Sequence, residues 1–173
     1  MTDTSWPDDI YRALCDAGVR VVGIVPDAGH ARLIEFCTAD NDMQVVSLTS
    51  EEEGVGLVSG AWLGGERGAL LMQSSGVGNC INAIASLTVS CQFPLLMLVT
   101  MRGEWGEGNP WQIPMGRATP RVLDDLGMRV ATVERPDEAG ETVTAMAGLA
   151  FKAQAATAVL LSQRLIGAKS FQD

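Results

Sequence analysis

The sequence predicts an α/β fold: one doubly wound domain with a six-stranded, mainly parallel sheet and helices on both faces. Three observations carry this. Strand-like and helix-like segments alternate almost without interruption, as six βα-type units in series. The strand candidates are continuous apolar runs, such as VRVVGIV (19–25) and FPLLMLVT (93–100), which is what strands covered on both faces require. With 173 residues, 47% hydrophobic and 19% charged, there is material for one full core, so residues 1–173 read as a single domain.

The elements follow in order. PDDIYRALCDAG is a helix with Ile10, Leu14 and Ala17 on one face, Pro7 near its start and Gly18 as its stop. VRVVGIV is the first strand, closed by a PDAG turn, and residues 29–40 form a second helix with Leu33, Ile34 and Cys37 on one face. MQVVSLT (43–49) is the second strand and runs directly into SEEEGVGLVSGAWLGG (50–65). Ser50, with Glu53 three residues on, fits a capping box, and the acidic first turn suits the positive end of the helix dipole. Three carboxylates exceed what capping needs. Glu51 stands at the first helical position, where a side chain points off the helix end. Behind it, Gly56-x-x-x-Gly60 with Ser59 alongside opens a surface for close backbone packing, within the fold or against a partner. Each such glycine costs about 1 kcal/mol relative to alanine in a helix interior.

GALLMQ (68–73) is the third strand, SSGVGN a glycine turn, CINAIASLTVSC a helix, and FPLLMLVT the fourth strand. MRGEWGEGNPWQIPMGRAT (101–119), roughly nineteen residues without a clear period, reads as an active-site or interface loop. A helix (PRVLDDLG), a strand (MRVATV), a long helix (PDEAGETVTAMAGLAFKAQ) and a last strand (ATAVLLS) complete the chain. Ligands of such sheets bind at the carboxyl ends of strands. Glu51, SSGVGN and the 101–119 loop all follow strands directly, so they are expected to share one edge.

Several function classes are excluded. A net charge of −9, with no basic cluster longer than a pair, argues against nucleic-acid and anionic-membrane partners. The N-terminus is acidic and lacks an apolar signal region, and no apolar run reaches membrane-spanning length. Cys15, Cys37, Cys80 and Cys91, with no CxxC pair, read as buried thiols of a cytoplasmic protein. The single histidine, His30, excludes paired-histidine zinc sites and reads as a surface or loop residue; no metal-ligating set is expected on this chain. Gly76-Val77-Gly78 lacks the third glycine of a dinucleotide fingerprint, and no GK[ST] phosphate loop is present. Consecutive Glu51 to Glu53 cannot face one another across a glycosidic bond.

An acidic residue opening a helix that runs into G-A-W, then LLMQSSGVGNCINAIASL and PLLMLVTMRGEWGEGNPWQIPMGRATPRVLDDLG, resembles one family closely. It is the pyrimidine-binding domain of thiamine-diphosphate-dependent decarboxylases, in particular the small alpha subunits of sulfopyruvate and phosphonopyruvate decarboxylases. The resemblance covers about residues 10–165. It implies that Glu51, matched by its distance to Gly60, hydrogen-bonds the pyrimidine N1′ of the cofactor. Gly76, Gly78 and Asn79 are then expected to border the cofactor, with Asp27, His30, Arg102 and Gln112 as substrate candidates and Arg117 as a further anion ligand. The implied reaction is decarboxylation of a 3-substituted pyruvate, a small 2-oxo acid, to an aldehyde. The family's GDG…N motif, which holds magnesium (Mg2+) and the diphosphate, is absent from this chain. The resemblance therefore implies a beta subunit that carries it and a second alpha chain, in an assembly of at least two chains of each kind. Two further readings of the same fold stay open: a non-catalytic interaction or regulatory domain, and a subunit that ligates or transfers the acyl group.

Overall fold

The computed structural model describes residues 5–167. The chain runs α1 (Trp6–Asp16), β1 (Val19–Ile24), α2 (Ala31–Ala39), β2 (Gln44–Ser47), α3 (Glu51–Leu63), β3 (Arg67–Gln73) and α4 (Ser74–Ala83). It continues through β4 (Leu95–Thr100), α5 (Ile113–Asp125), β5 (Arg129–Val133), α6 (Ala139–Ala153), β6 (Ala156–Leu161) and a single turn, α7 (Gln163–Ile166). The six strands form one sheet in the order β2-β1-β3-β4-β6-β5, and every neighbouring pair is parallel.

The continuous apolar strands follow from two cores, one on each face. Successive side chains of a strand point to opposite faces. On β3, Ala69 and Leu71 enter one core with Ile10, Leu14, Leu33, Val143 and Phe151, which come from α1, α2 and α6. Leu70 and Met72 enter the other with Val55, Val58, Val77, Cys80 and Leu123, from α3, α4 and α5. All six residues of β4 are buried, and its neighbours β3 and β6 feed both cores in the same alternating way.

Five details differ from the sequence reading. SSGVGN is no turn: α4 begins at Ser74, with extended Gln73 before it, and neither Gly76 nor Gly78 has a positive φ. The helix then widens into a π-helical stretch, Ile84–Val89. The aperiodic connection ends early as well, because a 3-10 turn at Pro110–Gln112 leads into α5 at Ile113. Two prolines and a glycine within α5 disguise it: Pro114 sits in the first turn, where no amide donor is missed, and Pro120 lies inside the helix. Ser50 makes no capping bond; instead the Glu53 carboxylate accepts from the Thr49 amide at 2.7 Å. Of the cysteines, Cys37 and Cys80 are buried, with burial pushing both thiols up to about 12, whereas Cys15 and Cys91 are exposed, and all four are free.

The glycines of α3 divide cleanly. A Cβ at Gly54 would overlap Leu70 beneath it, so this glycine serves packing within the fold. Gly56 and Gly60 face outward with nothing within 4 Å. Leu70 thus supports α3 from the sheet. We expect Leu70→Ala to destabilise the domain by about 2–5 kcal/mol, since a fully buried leucine is removed and the helix above can collapse only in part. Urea denaturation of the two proteins measures it.

Candidate active site

In this strand order the chain moves outward from β1 to β2 and then returns across β1 to β3, so a crevice opens at the carboxyl ends of β1, β3 and β4. Asp27, on the turn after β1, is the centre of what fills it. One carboxylate oxygen accepts from the Gly29 amide at 2.9 Å and from the Thr100 hydroxyl at 2.8 Å. The other accepts from the Gln73 side-chain amide at 2.8 Å and from Arg102 Nη2 at 3.3 Å. The ion pair is almost wholly withdrawn from water, with 6% of the Arg102 side chain and 4% of the Asp27 side chain exposed. Burial by itself would raise the Asp27 carboxyl. Bonds from Gln73 and Thr100, the Arg102 charge and the Gly29 amide outweigh it and hold the group below the usual carboxylate range.

His30 lies on the connection after β1, as a loop residue would, but it is fully buried beneath this cluster and not at the surface. Its Nε2 lies 3.2 Å from the Met72 carbonyl and 3.1 Å from the Leu98 carbonyl. Both neighbours are acceptors, so Nε2 carries the proton and the ring is the neutral tautomer. Nδ1 has no partner. Burial pushes the imidazole down to about 4, with Arg102 adding to the effect and the Asp27 charge and the two carbonyls opposing it.

Glu51 occupies the first position of α3 at the same edge and is only 8% exposed. Asn79 Nδ2 donates to its Oε2 at 3.0 Å. Oε1 lies against Gly76, where an added Cβ would overlap the carboxylate, so helix α4 can hold this acid only through a glycine. No described residue donates to Oε1. Gly78, exposed one residue before Asn79, faces the sulfur of Met115 on α5. The first turns of α4 join the two halves of the site. Ser74 Oγ accepts from the Arg102 amide at 3.1 Å, and the Ser74 carbonyl accepts from Thr119 Oγ1 at 3.3 Å.

The loop carrying Arg102 is tied down by a residue the sequence reading did not single out. Gln163, 1% exposed at the start of α7, accepts from the Glu104 and Trp105 amides at 3.0 Å each. Its own backbone amide donates to Glu104 Oε2, and its side-chain amide donates to Glu107 Oε2, each at 3.0 Å. Glu107 in turn accepts from the Gly103 and Asn109 amides, and Arg164 lies over the Trp105 ring. Gly116 lets α5 press against the Arg102 carbonyl from the other side. Trp111 is left 73% exposed beside Gln112, whose side chain makes no hydrogen bond to the described residues. Arg117 is exposed on α5 and is not among the bonding partners of Asp27. Of the sequence candidates, the structure therefore groups Asp27, His30 and Arg102, groups Glu51 with Gly76 and Asn79, and leaves Gln112 and Arg117 outside both bonded groups. Gln73, Thr100, Ser74 and Gln163 were missed. Gln73 and Thr100, strand-terminal polar residues paired in register across β3 and β4, carried the only available signal.

Residues 6–128 match the family described as thiamine pyrophosphate enzyme, N-terminal TPP binding domain. The chain is 38% identical over 152 residues to the sulfopyruvate decarboxylase subunit alpha of Methanococcus maripaludis, covering 88% of this chain and 91% of that protein. It is also 38% identical to the subunit of the same name from Methanothermobacter thermautotrophicus, covering 88% of this chain and 92% of that one. A phosphonopyruvate decarboxylase of Streptomyces viridochromogenes is 34% identical over 140 residues, covering 80% of this chain and 35% of that longer protein. Among solved structures, 2-oxoglutarate:ferredoxin oxidoreductase from Magnetococcus marinus superposes with a TM-score of 0.71 at 16% identity. That likeness concerns the fold alone; it covers 94% of this chain and 29% of the other.

Two predictions follow from the geometry. Between pH 6.5 and about 4 the unfolded chain binds a proton that folded His30 refuses, so stability falls as the pH drops through this window. The His30 contribution reaches about 3 kcal/mol near pH 4; carboxylates held below their usual values, Glu107 and Asp27 among them, add losses of their own as the pH falls further through the carboxylate range. Urea midpoints at pH 7, 5.5 and 4 should fall more steeply in the parent than in His30→Asn. Gln163→Ala should release the loop. Cleavage after Glu104 and Glu107 by a glutamate-specific protease is expected to accelerate about tenfold or more, while the melting temperature drops by only a few degrees.

Proposed function

The chain belongs to the thiamine pyrophosphate enzyme family through its N-terminal TPP-binding domain, and on that premise we propose that it is the alpha subunit of a decarboxylase acting on a 3-substituted pyruvate of the sulfopyruvate or phosphonopyruvate type. The products are carbon dioxide and the corresponding aldehyde. One observation carries the reading: a nearly buried glutamate opens α3 at the ligand-binding edge, with one carboxylate oxygen left unbonded by the described residues.

Such an oxygen fits a ring nitrogen. When bound, thiamine diphosphate supplies the electron sink that accepts the pair released as carbon dioxide leaves. Glu51 holds or shares a proton at the pyrimidine N1′. A carboxylate so poorly hydrated makes a stronger hydrogen bond there than one in water. Gly76, Gly78 and Asn79 border the ring on the α4 side. Asp27 and Arg102, with His30 beneath them, border the substrate, and Gln112 closes the site from the start of α5. Because Asp27 already balances Arg102, this chain contributes directed donors more than net positive charge.

The remaining half of the site comes from a second chain. The GDG…N motif that would hold the diphosphate and its magnesium does not occur in this sequence. The diphosphate and its magnesium are assigned to a beta subunit carrying GDG…N. Outward-facing Gly56 and Gly60, with exposed Leu63, Ile81 and Val89, support pairing of two alpha chains through α3 and α4. Four free thiols, and the absence among the described residues of any helix long and apolar enough to cross a membrane, fit a cytoplasmic enzyme.

The test is co-expression with the beta subunit and measurement of carbon dioxide and aldehyde from sulfopyruvate and phosphonopyruvate. Glu51→Gln should lower kcat by roughly a hundredfold or more. Full activity in that variant, or a ligated product in place of the aldehyde, would count against the assignment.

A further inference from the structure

The hydrogen bond between Asn79 and Glu51 holds more than a surface amide needs. Asn79 lies on the exposed side of α4 and gains little stability by bonding there. Its partner is different. A glutamate at the first helical position has three rotatable bonds and, being free of any other hydrogen bond to the described residues, has no other anchor. Two contacts restrict it. The Gly76 backbone forms a floor against Cγ, Cδ and Oε1, and the Asn79 amide holds Oε2. An ionised carboxylate only accepts, so the nitrogen end of the amide must face it and the amide orientation is set by chemistry. With Oε2 occupied and the group pressed on Gly76, Oε1 is the oxygen left to act.

We infer that Asn79 is a positioning residue: it fixes the Glu51 carboxylate so that Oε1 alone is presented to the pyrimidine ring, and its effect on the reaction passes through Glu51. This rests on the reading of Glu51 as the cofactor's hydrogen-bonding acid. It goes beyond placing Asn79 beside the cofactor, because it states which atom Asn79 acts on and denies it an independent contribution.

A double-mutant cycle on the alpha–beta complex tests it, read in two ways: kcat with sulfopyruvate, and the dissociation constant of thiamine diphosphate with magnesium by titration calorimetry. Asn79→Ala should lower kcat roughly tenfold to a hundredfold, weaken cofactor binding severalfold and leave the melting temperature within about two degrees. In a Glu51→Ala background, the same change should alter the dissociation constant less than twofold, since the group it acts on is gone. Asn79→Asp keeps the size and removes the donor, so it should be at least as harmful to kcat as Asn79→Ala. Losses that add in the double variant, or wild-type kcat in Asn79→Asp, would overturn the positioning role and leave Glu51 in place. A Glu51→Ala variant with unchanged kcat and affinity would overturn the reading of Glu51 as well.

Discussion

Asp27 is the constraint on which the ligand-binding edge depends. Four donors from four separate segments converge on one carboxylate: the turn after β1, the end of β3, the end of β4 and the loop that follows it. Strand ends in a parallel sheet are otherwise free to fray, because each is followed by a connection that leaves the sheet. A buried charge is tolerable only when paired and hydrogen-bonded, and the converse also holds. Once Asp27 is ionised and out of water, every one of its partners is obliged to stay. The ion pair with Arg102 is therefore better understood as a device for fixing positions than as a source of net stability. His30 fits this account. As a neutral ring donating to the carbonyls of Met72 and Leu98, it fills the space under the turn without adding a second charge to the cluster.

The start of α4 passes that rigidity on. Ser74 takes the Arg102 amide, Gly76 receives the Glu51 carboxylate, and Asn79 bonds it. One and a half turns of helix thus form a common wall between the Asp27–Arg102 cluster and Glu51. A helix built on Ser-Ser-Gly-Val-Gly pays a propensity penalty of about 2 kcal/mol for its two glycines relative to alanine. Only close approach justifies such a sequence, and at Gly76 the structure shows what approaches.

The fold was legible because burial on both faces leaves its mark on the central strands: no residue of β4 reaches solvent, and none could be polar without a partner. The edge position of Glu51 was legible for a related reason, since an acid directly between an apolar strand and an apolar helix has few structural uses. What the sequence concealed is physically specific. Glycines signal turns when taken singly, but both glycines of SSGVGN are helical, and at Gly76 the missing side chain makes room for the Glu51 carboxylate of α3. Pro120 signals a helix start, yet α5 begins earlier, at Ile113, and runs through it. The burial of His30 was not expected, because two strand carbonyls in search of a donor are invisible in one dimension. Gln163 was missed for the same reason. It lies 59 residues from Glu104 in sequence, and nothing in a QRLI segment announces a loop anchor.

These bonds bear on how a divided active site can work. A chain that supplies half of a site has to hold its functional groups in place before the other half arrives, or binding energy is lost to ordering them. Here the ordering is internal. Asp27 is saturated by its own chain, the 103–109 loop is tied to Gln163 and Glu107, and Glu51 is held by Gly76 and Asn79. What remains open is one carboxylate oxygen of Glu51 and, flanking it, the exposed surfaces of Gly78 and Asn79. On the proposed reading, the partner subunit brings the metal and the diphosphate to a surface already set, so the two chains meet as rigid halves. The division of labour then follows from charge. An acidic chain whose one buried arginine is neutralised by Asp27 suits the ring of the cofactor, and the polyanionic end belongs with the chain that carries the cation.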